Sequence, residues 1–173
     1  MRDRSIRIGS AGKTFSFTDF KVGPKELVAA CAKAHQFLTF SINSKLQSSV
    51  SYGLDNCKDF YTTLGSVFKK KRDRLQERLQ GLGFIVLPAQ GTYFLVADFA
   101  PIMKQCGRDL NDSEFCIELT EKAGVTVLPI SAFYPSGCNH CHVPRTLVRF
   151  VICKTDEKLD DSCNKLENYI LNL

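Results

Sequence analysis

The chain opens on a short strand-like run, Ser5-Ile6-Arg7-Ile8, and a partly alternating stretch over 15–22 whose bulky positions are Phe15, Phe17 and Phe20. Gly23-Pro24 stops the second run, so two strands are predicted, the second cut short. Pro24-Lys25-Glu26-Leu27 opens a helix with proline in its first turn, and Leu27, Cys31 and Ala34 share its buried face. Residues 37–44 read as irregular and 45–54 as a helix ending near Gly53. A longer helix begins at Asp59. Its apolar stripe is Phe60, Leu64, Val67, Phe68, Leu75, Leu79 and Leu82, and Gly81 and Gly83 end it.

Beyond that helix, strands and helices alternate in a compact way. Residues 84–87 and 92–98 predict an antiparallel strand pair around a turn at 88–91. Residues 113–123 predict an amphipathic helix capped by Asn111 or Asp112 and closed by Gly124. Two more strands are expected over 125–128 and 146–153, and a final helix over 156–171. The first half lacks this regularity. Its opening strand has no earlier partner in the chain, which leads to the expectation of a fragment whose first elements are missing. There is no internal repeat and no low-complexity segment.

Composition adds bounds. The 173 residues suffice for one domain or for part of a larger one. Hydrophobic residues make up 44% and charged residues 24%, as in an ordinary globular protein. A net charge of +5 suits anionic small ligands as well as a polyanion. No apolar run follows Met1-Arg2-Asp3-Arg4, and none approaches the length of a membrane span, so neither a secretory signal nor a membrane partner is expected. Of the eight cysteines, Cys31, Cys116 and Cys153 fall among apolar neighbours. Buried free thiols are expected there, in a reducing compartment, cytoplasmic or mitochondrial.

Lys13 carries the first chemical signal, within Gly9-Ser10-Ala11-Gly12-Lys13-Thr14-Phe15-Ser16. The small residues before it give little packing, so the loop admits something bulky. A nucleophilic lysine must be partly desolvated or placed near another cation, and Lys21 follows eight residues later. Against this stands the plainer reading of Lys13 as one solvated group among 23 basic residues. Gly12-Lys13-Thr14 is also the tail of a P-loop, and Phe94-Leu95-Val96-Ala97-Asp98 resembles a strand ending in a magnesium-binding Asp. The full motif needs glycine where Arg7 stands and a helix directly after the lysine, where residues 15–20 are strand-like.

Arg149 carries the second signal. By strand alternation it shares a face with Leu147, Val151 and Cys153, while Val148, Phe150 and Ile152 take the other. Both faces are apolar, so the guanidinium is expected to be partly buried and to need a partner. That partner is either an internal Asp or Glu or a ligand carboxylate held by two parallel hydrogen bonds. Arg145, beside Pro144, reads as a surface residue.

Two other clusters carry less. Cys138-Asn139-His140-Cys141-His142 places four metal-ligand types together, but no second C-x-x-C exists and His35 is the only other histidine. No structural zinc site is expected. Lys69-Lys70-Lys71-Arg72-Asp73-Arg74 reads as the wet face of its helix, and no nucleic-acid motif accompanies it.

Residues 4–16 closely resemble the cofactor-lysine segment of class I/II pyridoxal-phosphate aminotransferases of fold type I. Within that family they are most similar to the kynurenine–oxoglutarate aminotransferase (cysteine-S-conjugate β-lyase, glutamine transaminase K) branch. The resemblance continues, in family order, through His35-Gln36-Phe37-Leu38-Thr39-Phe40, Gln90-Gly91-Thr92-Tyr93-Phe94, Leu128-Pro129-Ile130-Ser131-Ala132-Phe133-Tyr134 and Leu147-Val148-Arg149-Phe150. It implies an α/β fold: the C-terminal part of a fold type I PLP-dependent transferase. Residues 1–55 would be a remnant of the large PLP-binding domain, 56–83 a linking helix and 84–173 the small domain.

The same resemblance implies site roles. Lys13 matches the lysine that joins pyridoxal 5'-phosphate covalently. Ser10 and Lys21 match groups on the cofactor phosphate, Arg149 the arginine that binds the substrate α-carboxylate, and Phe40 an aromatic that reaches the neighbouring subunit's pocket in the family homodimer. The implied reaction is transamination between an amino acid (kynurenine, aromatic or sulfur) and a 2-oxo acid. The family's chains begin well before this lysine. The Asp on the pyridine nitrogen and the aromatic stacked on the ring have no counterpart here, so weak or absent activity of this chain alone is expected. The alternatives are a non-catalytic fragment acting through subunit association and, behind it, a P-loop nucleotide-binding protein.

Overall fold

A computed structural model describes Ala29, Lys33 and residues 43–134 and 143–173. The chain divides into two compact units, 1–65 and 66–173. The expected strands over 5–8 and 15–22 and the helix opening at Pro24 lie outside the described residues, apart from Ala29 and Lys33, both helical.

In the first unit, helix α1 (Ser44–Asn56) starts where Asn43 accepts a hydrogen bond from the Lys45 backbone N–H at 3.0 Å. The helix runs through Gly53 rather than stopping there. Gly53 is buried, and its carbonyl accepts from the Cys57 N–H at 3.0 Å, so one further turn closes. Helix α2 (Lys58–Gly81) begins one residue before the expected Asp59, and the division between the units falls within it.

The second unit is built on a four-stranded antiparallel sheet of β1 (Ile85–Val86), β2 (Phe94–Asp98), β3 (Leu128–Pro129) and β4 (Leu147–Val151), ordered β1-β2-β4-β3. β1 is short because Phe84 is claimed by the end of α2: its N–H donates to the Leu79 carbonyl at 3.1 Å. The third strand falls later than the expected 125–128. Val125 and Val127 are buried, but pairing starts at Leu128 and reaches only Pro129, which has no N–H to donate.

Alternation along the two central strands separates two faces. Leu95, Ala97, Val148 and Phe150 point into the core, and the residues between them are half-buried. Leu75 and Leu79 of α2 are in that core, as are Cys163, Leu166 and Tyr169 of helix α5 (Asp156–Leu171). Phe99 stacks on Phe115 with ring centres 4.0 Å apart, and Phe84 meets Phe115 and Phe150 edge-on.

The stripe of α2 is buried only toward its C-terminal end. Phe60 and Val67 are 51% and 45% exposed, because the described core reaches α2 from Phe68 onward. Its basic run does more than face water. Lys71 donates to the Lys154 carbonyl, Arg74 pairs with Asp160, and Arg78 reaches Asn164 and Glu167, tying α2 to α5.

Helix α3 (Ala100–Gln105) was not expected; Pro101 sits in its first turn and Asp98 accepts from the Ala100 N–H at 2.9 Å. Helix α4 (Asp112–Glu118) carries a capping box. Asn111 accepts from the Glu114 backbone and the Glu114 carboxylate accepts from the Asn111 N–H. It then widens into one π turn, Leu119–Ala123, and Gly124 closes it at φ 67. Cys116 and Cys163 are buried. Cys153 is exposed, against expectation, because β4 ends at Val151 and the chain leaves the sheet before it.

Candidate carboxylate site on the half-covered face of the sheet

β4 carries Arg149 on the face opposite its core residues Val148 and Phe150. It pairs with Val96 of β2 on one side and Leu128 of β3 on the other, so it sits at the middle of the sheet. Phe94 lies two residues before Val96 and is therefore Arg149's diagonal neighbour on the same face. The guanidinium carbon stands 4.0 Å from the centre of the Phe94 ring and 4.3 Å from that of Phe133. Both distances are those of cation–π contacts.

Two rings hold the guanidinium and no acid neutralises it. Among the described residues Arg149 has no ion pair, and its Nε is buried without a hydrogen-bond partner. Leaving a charged donor buried and unpaired is costly, so the arrangement calls for an anionic acceptor from elsewhere. A planar guanidinium offers parallel N–H groups along its edge, which suit a carboxylate.

Phe133 comes from a 3-10 turn, Ile130–Phe133, that directly follows β3. That turn is fastened from the other side. Asp112, at 2% exposure the one buried charged residue among those described, accepts from the Ser131 backbone N–H at 2.7 Å and from the Ser131 hydroxyl at 2.8 Å. Sequence reading took Asp112 only as a candidate helix cap. The available signal was the asparagine before it: Asn111 does the capping, which leaves the Asp112 carboxylate for another partner.

A second charged cluster lies elsewhere. Glu118 accepts from both nitrogen ends of Arg108 at 2.9 and 2.6 Å, from Lys122 at 2.8 Å and from the Tyr169 hydroxyl at 2.9 Å. The Arg108 hydrogen bonds hold its carboxyl down to about 2, against burial. Burial, and then the Glu118 bond, push the Tyr169 phenol up to about 12. Every charge here is answered, as in a structural knot.

Of the residues singled out from sequence, Arg149 alone falls in the described part. Ser10, Lys13, Lys21 and Phe40 lie outside it, as do His35 and the Cys138–His142 cluster. No group of potential metal ligands occurs among the described residues, and no described helix is long and apolar enough to cross a membrane.

The architecture recurs in solved aminotransferases. N-succinyldiaminopimelate aminotransferase from Mycobacterium tuberculosis is similar with a TM-score of 0.78 and 36% identity, over 95% of this chain and 42% of that one. The Escherichia coli protein YbdL, with a methionine aminotransferase function, matches with a TM-score of 0.78 and 30% identity, over 96% of this chain and 42% of that one. In sequence, the kynurenine–oxoglutarate transaminase of Dictyostelium discoideum is 37% identical over 96% of this chain. Residues 2–166 match the family model for aminotransferase class I and II, and the chain belongs to that family. Enzymes of this family use pyridoxal phosphate. The chain spans about 42% of the length of the relatives it matches.

Proposed function

We propose that this chain serves pyridoxal-phosphate-dependent transfer of an amino group between an amino acid and a 2-oxo acid, and that Arg149 binds the substrate α-carboxylate. The observation that carries the reading is the Arg149 guanidinium, held between Phe94 and Phe133 with its buried Nε unpartnered. That donor fits the anionic end common to both substrates. Family membership supports this over nucleotide binding at Gly12-Lys13-Thr14.

Lys13 would hold the cofactor covalently and Ser10 and Lys21 its phosphate; Phe40 would reach the site of a partner subunit in a homodimer. Bound pyridoxal phosphate supplies an electron sink for the pair left when the Cα–H bond breaks. The chain's part is to fix the carboxylate at Arg149 and to carry the Cα proton on the Lys13 amine. Relatives named for kynurenine and methionine support an aromatic or sulfur amino donor.

A second reading is a non-catalytic fragment that works through subunit association. The exposure of Tyr52, Phe60, Val67 and Ile117 favours it. One experiment separates the two. The full chain is incubated with pyridoxal phosphate, reduced with borohydride, digested and mapped, then assayed for conversion of kynurenine and methionine. Cofactor fixed at Lys13 with measurable conversion supports the enzyme. Label spread over many lysines without conversion overturns it.

A further inference from the structure

We propose that Asp112 is a positioning residue for the carboxylate site, acting through Ser131 and Phe133 on Arg149. The inference rests on the reading of Arg149 as the carboxylate binder. It begins from a buried charge that neither capping nor an ion pair explains. Asn111 caps α4, and among the described residues Asp112 has no cationic partner. Instead its two oxygens take the two donors of one residue, Ser131 N–H at 2.7 Å and Ser131 Oγ at 2.8 Å.

The position of that residue makes the contact consequential. Ser131 is the second residue of the turn Ile130–Phe133, and Phe133 ends it. The turn follows only two residues of strand pairing, at Leu128 and Pro129, so the sheet alone holds it weakly. Phe133 is itself 55% exposed, so packing fixes it little. The double hydrogen bond from α4 is what sets the turn at the height where Phe133 covers Arg149. Phe94 holds the opposite ring contact from the rigid centre of the sheet. If the turn slackens, one of the two rings leaves, and the guanidinium can swing toward water instead of waiting at one angle for a carboxylate.

Asparagine can keep the turn. Its oxygen accepts the Ser131 N–H, and its amide donates to the hydroxyl oxygen. Alanine at position 112 keeps neither bond, and Ser131→Ala keeps one. The test uses the full chain with pyridoxal phosphate present. It compares wild type, Asp112→Ala, Asp112→Asn, Ser131→Ala and Arg149→Met, with Glu118→Gln as a variant weakened away from the turn. Two readouts are taken: 2-oxoglutarate affinity by calorimetry, and the Arg149 Nε–H resonance, assigned by its loss in Arg149→Met. Ring currents from two flanking aromatics displace that resonance from the position of a solvated arginine.

Asp112→Ala should weaken 2-oxoglutarate roughly tenfold, with Ser131→Ala between it and wild type. Both should move the resonance toward the solvated position, while Asp112→Asn and Glu118→Gln leave it in place. A resonance and affinity unchanged in Ser131→Ala overturn the proposal, even where Asp112→Ala does not fold. Failure of the underlying reading looks different: Arg149→Met itself then binds 2-oxoglutarate as wild type does.

Discussion

Arg149 and Phe94 are diagonal neighbours across β2 and β4, with the guanidinium carbon 4.0 Å from the ring centre. Phe133 supplies a second ring at 4.3 Å. Rings answer a cation only weakly compared with a carboxylate, and they leave its N–H edge free. The site therefore holds a charge in place without neutralising it.

That arrangement has a stability signature. An arginine kept for structure loses stability when replaced, whereas one with a buried, unpartnered Nε costs the fold something to keep. Arg149→Met retains much of the apolar stem and removes the orphaned donor. Urea unfolding of the variant should lie within about 1 kcal/mol of wild type or above it. A loss on the order of 3 kcal/mol, the cost of breaking a buried pair, would reveal an internal partner.

Glu118 gives a pH dependence of definite sign. Its carboxyl is held at about 2 in the fold, against an ordinary 4.5. A depressed carboxylate stabilises the fold above its unfolded value, and that contribution disappears as pH falls from about 4.5 toward 2. Glu118→Gln should cost about 1–3 kcal/mol at neutral pH, the range for charge-assisted hydrogen bonds. It should also flatten the decline of unfolding free energy over that acidic window. An unaltered slope would show that the Arg108–Glu118 pair contributes nothing.

Two glycines should respond in opposite directions. Gly124 closes the π turn at φ 67 with nothing within 4 Å of an added Cβ, so Gly124→Ala meets backbone strain alone and should cost about 1 kcal/mol. Gly65 lies inside α2 with equally open space around it, and Gly65→Ala should stabilise by about 0.5–1 kcal/mol. Thermal melts of the two variants check both signs.

The thiols should separate by burial. Burial, and then the Asp112 charge, push the Cys116 thiol up to about 12, and burial raises Cys163 as well. Iodoacetamide with peptide mapping should mark Cys153, which is exposed, well before either of them. Early labelling of Cys116 would mean that α4 opens far more readily than its packing implies.

Much of this architecture was legible in the sequence, for physical reasons that differ by element. Helix α5 keeps the expected bounds, because Thr155 caps it and its apolar positions recur at helical spacing. Alternation around Arg149 correctly separated the core face of β4 from the half-covered one. Helix α3 went unseen because it is six residues long and opens on Ala100-Pro101, too short for a periodic signal. The π turn was hidden because widening one turn leaves the apolar spacing before it intact. For the site, the guanidinium was visible and its surroundings were not. Phe94, Phe133 and Asp112 lie on separate elements, and only folding brings them to Arg149.

The central claim is that Arg149 is held ready for a substrate carboxylate. Its most direct test is calorimetric titration of 2-oxoglutarate into the full chain and into Arg149→Met, with pyridoxal phosphate present and folding checked for both. Removal of one charge-assisted contact in a desolvated site should weaken binding by at least about 30-fold, while the fold survives. Equal affinity in the two chains, or binding by neither, would contradict the account.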